Sequence, residues 1–353
     1  ISDRTVFSNC KTIELDGQLY REEDETLCIK AHPVGSYIMT GNDTWSFAPS
    51  DIFLRGKDIY LDNFLISNGS QRLLVDGGIS PDKNDTLSLK MDRFDLALVD
   101  EFMTTPIGIE GKMNGNASLY SGPDKAIGME MDFRLDTLHL GGVDAGSMVL
   151  TSQWQNEGKE IGILLRDIID SRDAFRVGGS YFVQEKRLDL TARFDQFPFA
   201  VATAFLPDVI EEVGGGISGT VSVTGKPDDP IPYSQDLHID DAFVRVVLTG
   251  VPYTINGPIR IDENGCYLDG VAIRDDDNGV LTVNGALRYQ HLKDFQVDGR
   301  VDFSNLKVLD APERPDIPFY GLLRATGTAT ARGPVNVLTV DGTVSTAGDG
   351  NEI

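Results

Sequence analysis

The 353-residue chain has no apolar run approaching the ~18–20 residues that a membrane-spanning helix requires. Its opening, Ile1-Ser-Asp-Arg4, has neither the basic start nor the apolar stretch of a secretory leader. It starts without Met and stops at Asn351-Glu-Ile353, just after a strand-like segment. This reads as an internal piece of a longer protein, with any anchor lying outside it. Three cysteines, Cys10, Cys28 and Cys266, cannot build a disulfide framework, and a Cys10–Cys28 pair stays open. Positive charge is scarce: 31 Lys and Arg against 55 Asp and Glu give a net charge of −24. That balance excludes nucleic acid and anionic membrane surfaces as partners held by charge. Aromatic residues are 8%, with two tryptophans, Trp45 and Trp154, so platforms for stacking sugars are few. The four histidines are isolated, none at metal-ligand spacing with another His or Cys. A Gly-x-Ser-x-Gly elbow, a phosphate loop and a Cys-x-x-Cys pair are all missing. Gly214-Gly-Gly-Ile-Ser-Gly219 precedes a strand pattern, so no helix dipole stands behind it to hold a phosphate. Together these gaps lead to the expectation of a chain that is not an enzyme and carries no cofactor and no catalytic or metal site.

What is present is repetition. Leu87-Ser-Leu-Lys-Met-Asp-Arg-Phe94 returns as Leu190-Thr-Ala-Arg-Phe194-Asp-Gln-Phe197, and again as Gly299-Arg-Val301-Asp-Phe303-Ser-Asn-Leu306. Phe94, Phe197 and Leu306 stand 103 and 109 residues apart. A Gly-led strand follows each copy, at Gly115, Gly219 and Gly327. Fixed spacing of this kind implies stacked units that share a core. The units run 1–57 (N-terminal strands), 58–122, 123–225 and 226–353, all as one continuous β-structure.

Strict alternation is the dominant local pattern, as in Met129-Glu-Met-Asp-Phe-Arg-Leu135 and Leu188-Asp-Leu-Thr-Ala-Arg-Phe194. Successive strand side chains point to opposite faces, so each segment has one oily and one charged face. Turns are expected at Asn68-Gly69, Asp76-Gly77, Asn114-Gly115, Asn264-Gly265, Asn278-Gly279 and Asp341-Gly342. Short helices are expected over 96–103 and 199–213, and an extended loop over 310–318, where prolines forbid a helix. Gly122-Pro-Asp-Lys125 and the segment from Gly225 to Pro232 read as unit junctions, the latter stiffened by Pro227, Pro230 and Pro232. Asp275-Asp-Asp-Asn-Gly279 gathers hard oxygens; it suits a turn, with calcium left open because the loop length and distal Glu of an EF-hand are missing.

The fold class is therefore all-β: an elongated, repeat-built sheet curled into an open trough, with one or two short helices. Some two dozen strands at about 4.8 Å would extend it on the order of 100 Å. The alternation puts Leu87, Leu89, Met91, Leu188, Leu190, Phe194, Leu281, Val283, Leu287, Val297, Val301 and Phe303 on the inner, groove-lining face. Ser88, Lys90, Asp189, Arg193, Thr282, Arg300 and Asp302 go to the water side, and a one-residue slip would exchange the sets.

The final third carries a resemblance. Gly225-Lys-Pro-Asp-Asp-Pro230, Leu248-Thr-Gly-Val-Pro-Tyr-Thr-Ile-Asn-Gly-Pro-Ile259, Phe319-Tyr-Gly321 and Gly327-Thr-Ala-Thr-Ala-Arg-Gly-Pro-Val-Asn-Val-Leu338 follow one another as in the TamB family. TamB is the inner-membrane component of the translocation and assembly module, and the versions from Bacteroidota are the most similar. The resemblance spans roughly residues 45 to 350. It implies a periplasmic trough, a "β-taco", in a protein anchored in the inner membrane of a Gram-negative bacterium. It further implies an outer-membrane barrel of the Omp85 type as partner, met through regions outside this chain. The family's work is phospholipid transfer between the membranes and support of outer-membrane protein assembly. On that footing the groove would shield phospholipid acyl chains. The competing readings are a scaffold with a filled interior and a polysaccharide-binding β-helix.

Overall fold

The computed structural model describes residues 11–12, 14–40, 43–80, 85–98, 108–121, 127–155, 159–167, 174–201, 210–246, 249–312, 320–335 and 337–346. Nearly all of them are strand. In chain order the strands are β1 (Lys11–Thr12), β2 (Leu15–Arg21), β3 (Leu27–Pro33), β4 (Tyr37–Thr40), β5 (Asp43–Phe47), β6 (Asp51–Arg55), β7 (Asp58–Ser67) and β8 (Arg72–Ile79). Then come β9 (Thr86–Asp95), β10 (Ile109–Ser121), β11 (Ile127–Leu140), β12 (Val143–Gln155), β13 (Glu160–Asp167), β14 (Phe175–Phe182), β15 (Arg187–Pro198) and β16 (Ile210–Lys226). The last are β17 (Asp229–Val246), β18 (Pro252–Asp262), β19 (Gly265–Asp275), β20 (Val280–Gln290), β21 (Lys293–Ala311), β22 (Gly321–Pro334) and β23 (Thr339–Thr346). Among the described residues helix amounts to short turns at 97–98 and 199–201.

Two compact units divide the chain. The first comprises 1–138, 146–165 and 182–185; the second comprises 139–145, 166–181 and 186–353. In the first, β2 pairs β3, β3 pairs β6, and an antiparallel ladder continues through β7, β8 and β9 to β10. In the second, each strand from β15 to β23 pairs antiparallel with the next. Among the described residues no pairing joins β23 back to β15, so this sheet is open and not a barrel.

The second unit's sheet curls because its hairpins differ in length. The β19–β20 tip is short, and the hairpins on either side of it meet beyond it. The Asp310 N–H donates to the Thr249 carbonyl at 2.9 Å, and the Tyr253 hydroxyl donates to the Lys307 carbonyl at 2.8 Å. Strands β18 and β21, not neighbours in the ladder, thus touch directly. At the other strand end the β16–β17 and β20–β21 tips approach each other past the β18–β19 turn, where His291 Nδ1 lies 2.7 Å from Asp229 Oδ1.

Several turns fall where the sequence puts them: Asn68-Gly69, Asn264-Gly265 and Asn278-Gly279 each lie at a hairpin tip. Asp76-Gly77, Asn114-Gly115 and Asp341-Gly342 instead sit inside strands. At Gly77 the reason is close approach: φ is 101°, and a Cβ would run into the Thr86 carbonyl of β9. The helix expected over 199–213 is corrected. Residues 199–201 form a helical turn and 210–213 are strand, since β17 extends far enough for Val244 and Val246 to pair with Val213 and Ile210; 202–209 lie outside the described residues. The helix expected over 96–103 has its turn at 97–98, and the rest lies outside the described residues, as do 122–125 and 313–318. The stiff connector of 225–232 is a tight hairpin: Lys226 pairs with Asp229 across a two-residue turn, and Pro230 and Pro232 enter β17 directly.

A β-bulge recurs on alternate strands and explains the repeated sequence core. Phe194 pairs with Gly219 and Phe197 with Ile217, so β15 uses one residue more than β16 over that interval. Phe303 and Leu306 oppose Gly327 and Ala325 in the same manner, and so do Ile239 and Ala242 opposite Gly257 and Ile255. Inside these bulges a residue takes a left-handed conformation: Asn63, Arg93, Gln196, Asp241, Gly270 and Asn305, with φ between 43° and 71°. The extra residue returns the apolar side chains to one face, three positions apart. Hence Phe194 and Phe197 both contact Phe175, at ring separations of 5.3 and 5.1 Å.

Candidate functional site: an apolar sheet face

The twelve residues expected on the inner face are all half-buried. In the first unit Leu87, Leu89 and Met91 of β9 stand opposite Gly77, Val75 and Leu73 on β8, and opposite Leu119, Ala117 and Gly115 on β10. In the second, Leu188, Leu190 and Phe194 of β15 face Gly225, Val223 and Gly219 on β16. The other six pair with each other directly: Leu281 with Phe303, Val283 with Val301 and Leu287 with Val297. Their intervening neighbours Ser88, Lys90, Asp189, Arg193 and Arg300 are exposed. Thr282 and Asp302 share that outer phase but are half-buried, because they pair with each other across the strands and Asp302 is ion-paired with Arg300.

Register turns these pairs into rows across the second sheet. Ile255, Ile273, Leu281, Phe303, Gly327 and Val344 form one row from β18 to β23. Val271, Val283, Val301 and Ala329 form the next. Beyond it Leu268, Gly285, Gly299 and Ala331 make a row of small side chains on β20 to β22. The fourth row, Ile261, Cys266, Leu287 and Val297, is large again. The face therefore has a furrow, floored by Gly285 and Gly299 and walled by Val283 and Val301 on one side and Leu287 and Val297 on the other. The sequence pattern does not single out Ile255, Ile273, Val271 or Ala329 as members of this face. A period-2 count from each bulge finds them.

The face is not uniformly open. Past the bulge of β21, Leu306, Leu309 and Ala311 are buried, and with them Val251, which is 0% exposed. This end also contains the acidic turn. Asp275 is buried, and its Oδ1 accepts the N–H groups of Asp277 and Gly279 at 2.9 and 2.7 Å. Its Oδ2 accepts the Lys307 N–H at 2.6 Å. The Lys307 ammonium lies among Asp276, Asp310 and Asp277 at 2.8, 3.1 and 3.2 Å. Burial pushes the pKa of Lys307 down, but hydrogen bonds to these three carboxylates outweigh burial and hold it above the ordinary lysine value. The Arg324 guanidinium, and after it Lys307, holds the Asp277 carboxyl below its ordinary 3.8. The acids considered for calcium thus surround a cation supplied by the chain itself. No group of three or more His, Cys, Asp or Glu side chains is arranged to hold a metal among the described residues. Cys28 is a buried free thiol, and Cys10 lies outside the described residues. At the opposite strand end a cavity of about 320 Å³ is lined by Pro230, Pro232, Glu263, Tyr289 and His291, among others.

A sheet with an oily face of this register, a column of bulges and an open last strand is the setting for the comparison with known proteins. Residues 269–351 match the family described as TamB C-terminal domain. Over that C-terminal segment the chain is similar to TamB. Searches of curated proteins and of solved structures returned no match. The TamB match begins within β19 and contains the furrow, the Lys307 cluster and the bulges at Gly270 and Asn305. No helix among the described residues is long and apolar enough to cross a membrane.

Proposed function

We propose that this chain is a section of a hydrophobic conduit that shields phospholipid acyl chains between the inner and outer membranes. The TamB match over residues 269–351 suggests the broader setting, outer-membrane protein assembly or lipid transport. The observation that supports the finer reading is the in-register apolar face of the second unit, whose furrow residues stay half-buried. Each methylene removed from water is worth about 0.8 kcal/mol, so roughly fifteen of them gain on the order of 10 kcal/mol before entropic losses. Such contact has no preferred direction along the rows, which permits sliding. In this proposal the chain is a periplasmic segment of an inner-membrane-anchored protein. It reaches an Omp85-type barrel through other parts of that protein, and it performs no catalysis.

The test is photo-crosslinking in cells, with a benzophenone side chain placed at Val283 or Leu287 and, as controls, at the outward Arg288 or Arg193. Phospholipid adducts at the first pair and not the second are expected. Adducts at neither, or equally at both, overturn the reading. A filled scaffold has one observation in its favour, the sealed cluster around Val251, Leu306 and Lys307. That cluster lies on the far side of the β21 bulge from the furrow.

A further inference from the structure

We infer that the cavity past the β18–β19 turn is a binding site for a primary ammonium group, and that the group is the ethanolamine headgroup of a phospholipid. The cavity exists because a short hairpin lies between two longer ones. The β18–β19 turn ends at Glu263 and Asn264. Strand β17 reaches further out, through Pro232 and Pro230 to Asp229, and β20 does so through Tyr289 to the turn at His291. His291 Nδ1, 2.7 Å from Asp229 Oδ1, bridges the gap between them. The enclosed space is about 320 Å³, at the small end of ordinary ligand sites.

The lining selects the ligand. Pro230 and Pro232 stand opposite Gly225 and Val223 of β16. A proline has no N–H, so these are the non-hydrogen-bonded pairs of the hairpin, and Asp229 and Ile231 hold the bonded positions. Alternate residues of an antiparallel strand direct their backbone groups to opposite sides. The Pro230 and Pro232 carbonyls therefore point away from β16, into the gap that β18 leaves, and no N–H accompanies them. The Asp229 and Glu263 carboxylates add to this wall of acceptors, and among the described residues neither Lys nor Arg lines the cavity. Across from it stands the Tyr289 ring. Its hydroxyl donates to the Asp262 carbonyl at 2.9 Å, its N–H donates to the Asn264 carbonyl at 3.0 Å, and the ring meets Phe295 at 5.9 Å, so its position is fixed. A cation with several N–H donors matches acceptors, carboxylates and an aromatic ring together. An anion would meet like charge, and a quaternary ammonium has no N–H to give the carbonyls.

Tyr289 and Leu287 share one phase of β20, and Leu287 belongs to the furrow wall. Gly285 on the furrow floor is four residues from Tyr289, about 13 Å at strand rise. The ammonium site follows from the cavity; its assignment to a phospholipid rests on the proposed conduit.

Isothermal titration calorimetry on the unmodified chain tests both parts. The probes are diheptanoyl phosphatidylethanolamine, phosphatidylcholine and phosphatidylglycerol, kept monomeric, and glycerophosphoethanolamine, the first headgroup without acyl chains. Phosphatidylethanolamine is expected to bind about fivefold tighter than either other lipid. Glu263→Gln, in the exposed turn, and Pro232→Val, which gives the wall an N–H, are each expected to remove most of that preference. Melting of both variants is expected to stay cooperative, and their binding of phosphatidylglycerol is not expected to fall. Phosphatidylethanolamine binding no tighter than either other lipid, or a preference untouched in both folded variants, overturns the ammonium site and leaves the conduit standing. If glycerophosphoethanolamine binds as tightly as the full lipid and is weakened equally by Glu263→Gln, the ammonium site is supported and the acyl-chain reading fails. Binding of none of the probes overturns both.

Discussion

Single side chains decide how deep the furrow is. Gly299 is the informative one, because a Cβ built there meets nothing nearer than the Asn284 carbonyl at 4.0 Å. A side chain at this position therefore enters open space over the furrow and does not disturb a packed neighbour. Gly299→Leu is expected to leave the melting temperature unchanged or raise it slightly, since Leu is a better strand residue than Gly. The same variant is expected to reduce lipid adducts at Val283 and Leu287 several-fold, read by the crosslinking assay. Lys307 gives the opposite case, a side chain that matters to the fold and not to the furrow. Lys307→Met removes the cation from among three half-exposed carboxylates, so the loss is expected to be on the order of 1–3 kcal/mol, discounted for solvent screening. It also changes the pH response. Asp277 has its folded pKa depressed, so its contribution is complete above 3.8 and drains as pH falls below that value. Lys307, held above 10.5, contributes fully below that pH and is lost only in stronger alkali. Urea melts are therefore expected to show a loss of stability as pH falls below about 4 that is smaller in Lys307→Met, though not abolished, because Arg324 still faces Asp277. The sequence made Asp275-Asp-Asp legible as a turn. It did not reveal Lys307 as the ion in its centre, because 31 residues separate Asp276 from its partner.

At the scale of the element, alternation was the dependable signal and the departures from it were not. β15 reads directly from Leu188 to Phe194 because every second residue is apolar and no bulge intervenes. The bulge itself leaves only a faint mark, two polar residues between apolar ones, as in Phe194-Asp-Gln-Phe197. Its left-handed position is filled by Asn, Arg, Gln, Asp and Gly in different strands, so residue type gives no consistent cue. The 103- and 109-residue spacings mark the bulges whose flanking residues happen to be large. Those on β7, β17 and β19 have the same geometry with other side chains. The glycine opposite the bulge is the firmer requirement. Gly219 has φ 126°, and a Cβ there would run into the Asp236 carbonyl. Gly219→Ala is expected to cost more than the ~1 kcal/mol of ordinary left-handed strain, because backbone must shift as well. Chemical denaturation checks this, and Gly299→Ala, in open space, is the matched control. The helix over 199–213 misled for a related reason: its apolar residues suit either structure, and the unusual length of β17, visible only in the fold, recruits 210–213 into the ladder.

On the scale of the molecule the question is whether the oily face is open to water or sealed. A net charge of −24 opposes association between chains, while the twelve apolar positions of the strand pattern carry no charge. Val301→Asp and Phe194→Asp put a carboxylate on that face, and their cost separates a conduit from a filled scaffold. A carboxylate sealed in a core costs several kcal/mol; one on an open face is solvated and costs far less. The two positions are not equivalent. Phe194 loses ring contacts with Phe175 at 5.3 Å and Phe197 at 5.8 Å, so its variant carries a packing loss whatever the solvent does. Val301 sits beside Val283 and Ala329 and is the cleaner probe. In Val301→Asp, a sealed carboxylate would have its folded pKa raised above the unfolded value, so its destabilisation would be present at neutral pH and would fade as protonation removed the charge. A solvated one would have nearly equal pKa values in the two states, and its small cost would not change with pH. Melting of Val301→Asp against wild type at about pH 7 and pH 4 therefore reads out solvent access directly. The conduit predicts a small difference, alike at both pH values, together with lost lipid crosslinking at Val283. A difference of several kcal/mol at neutral pH that shrinks in acid would mean that the face is closed, and the acyl chains would then need another path.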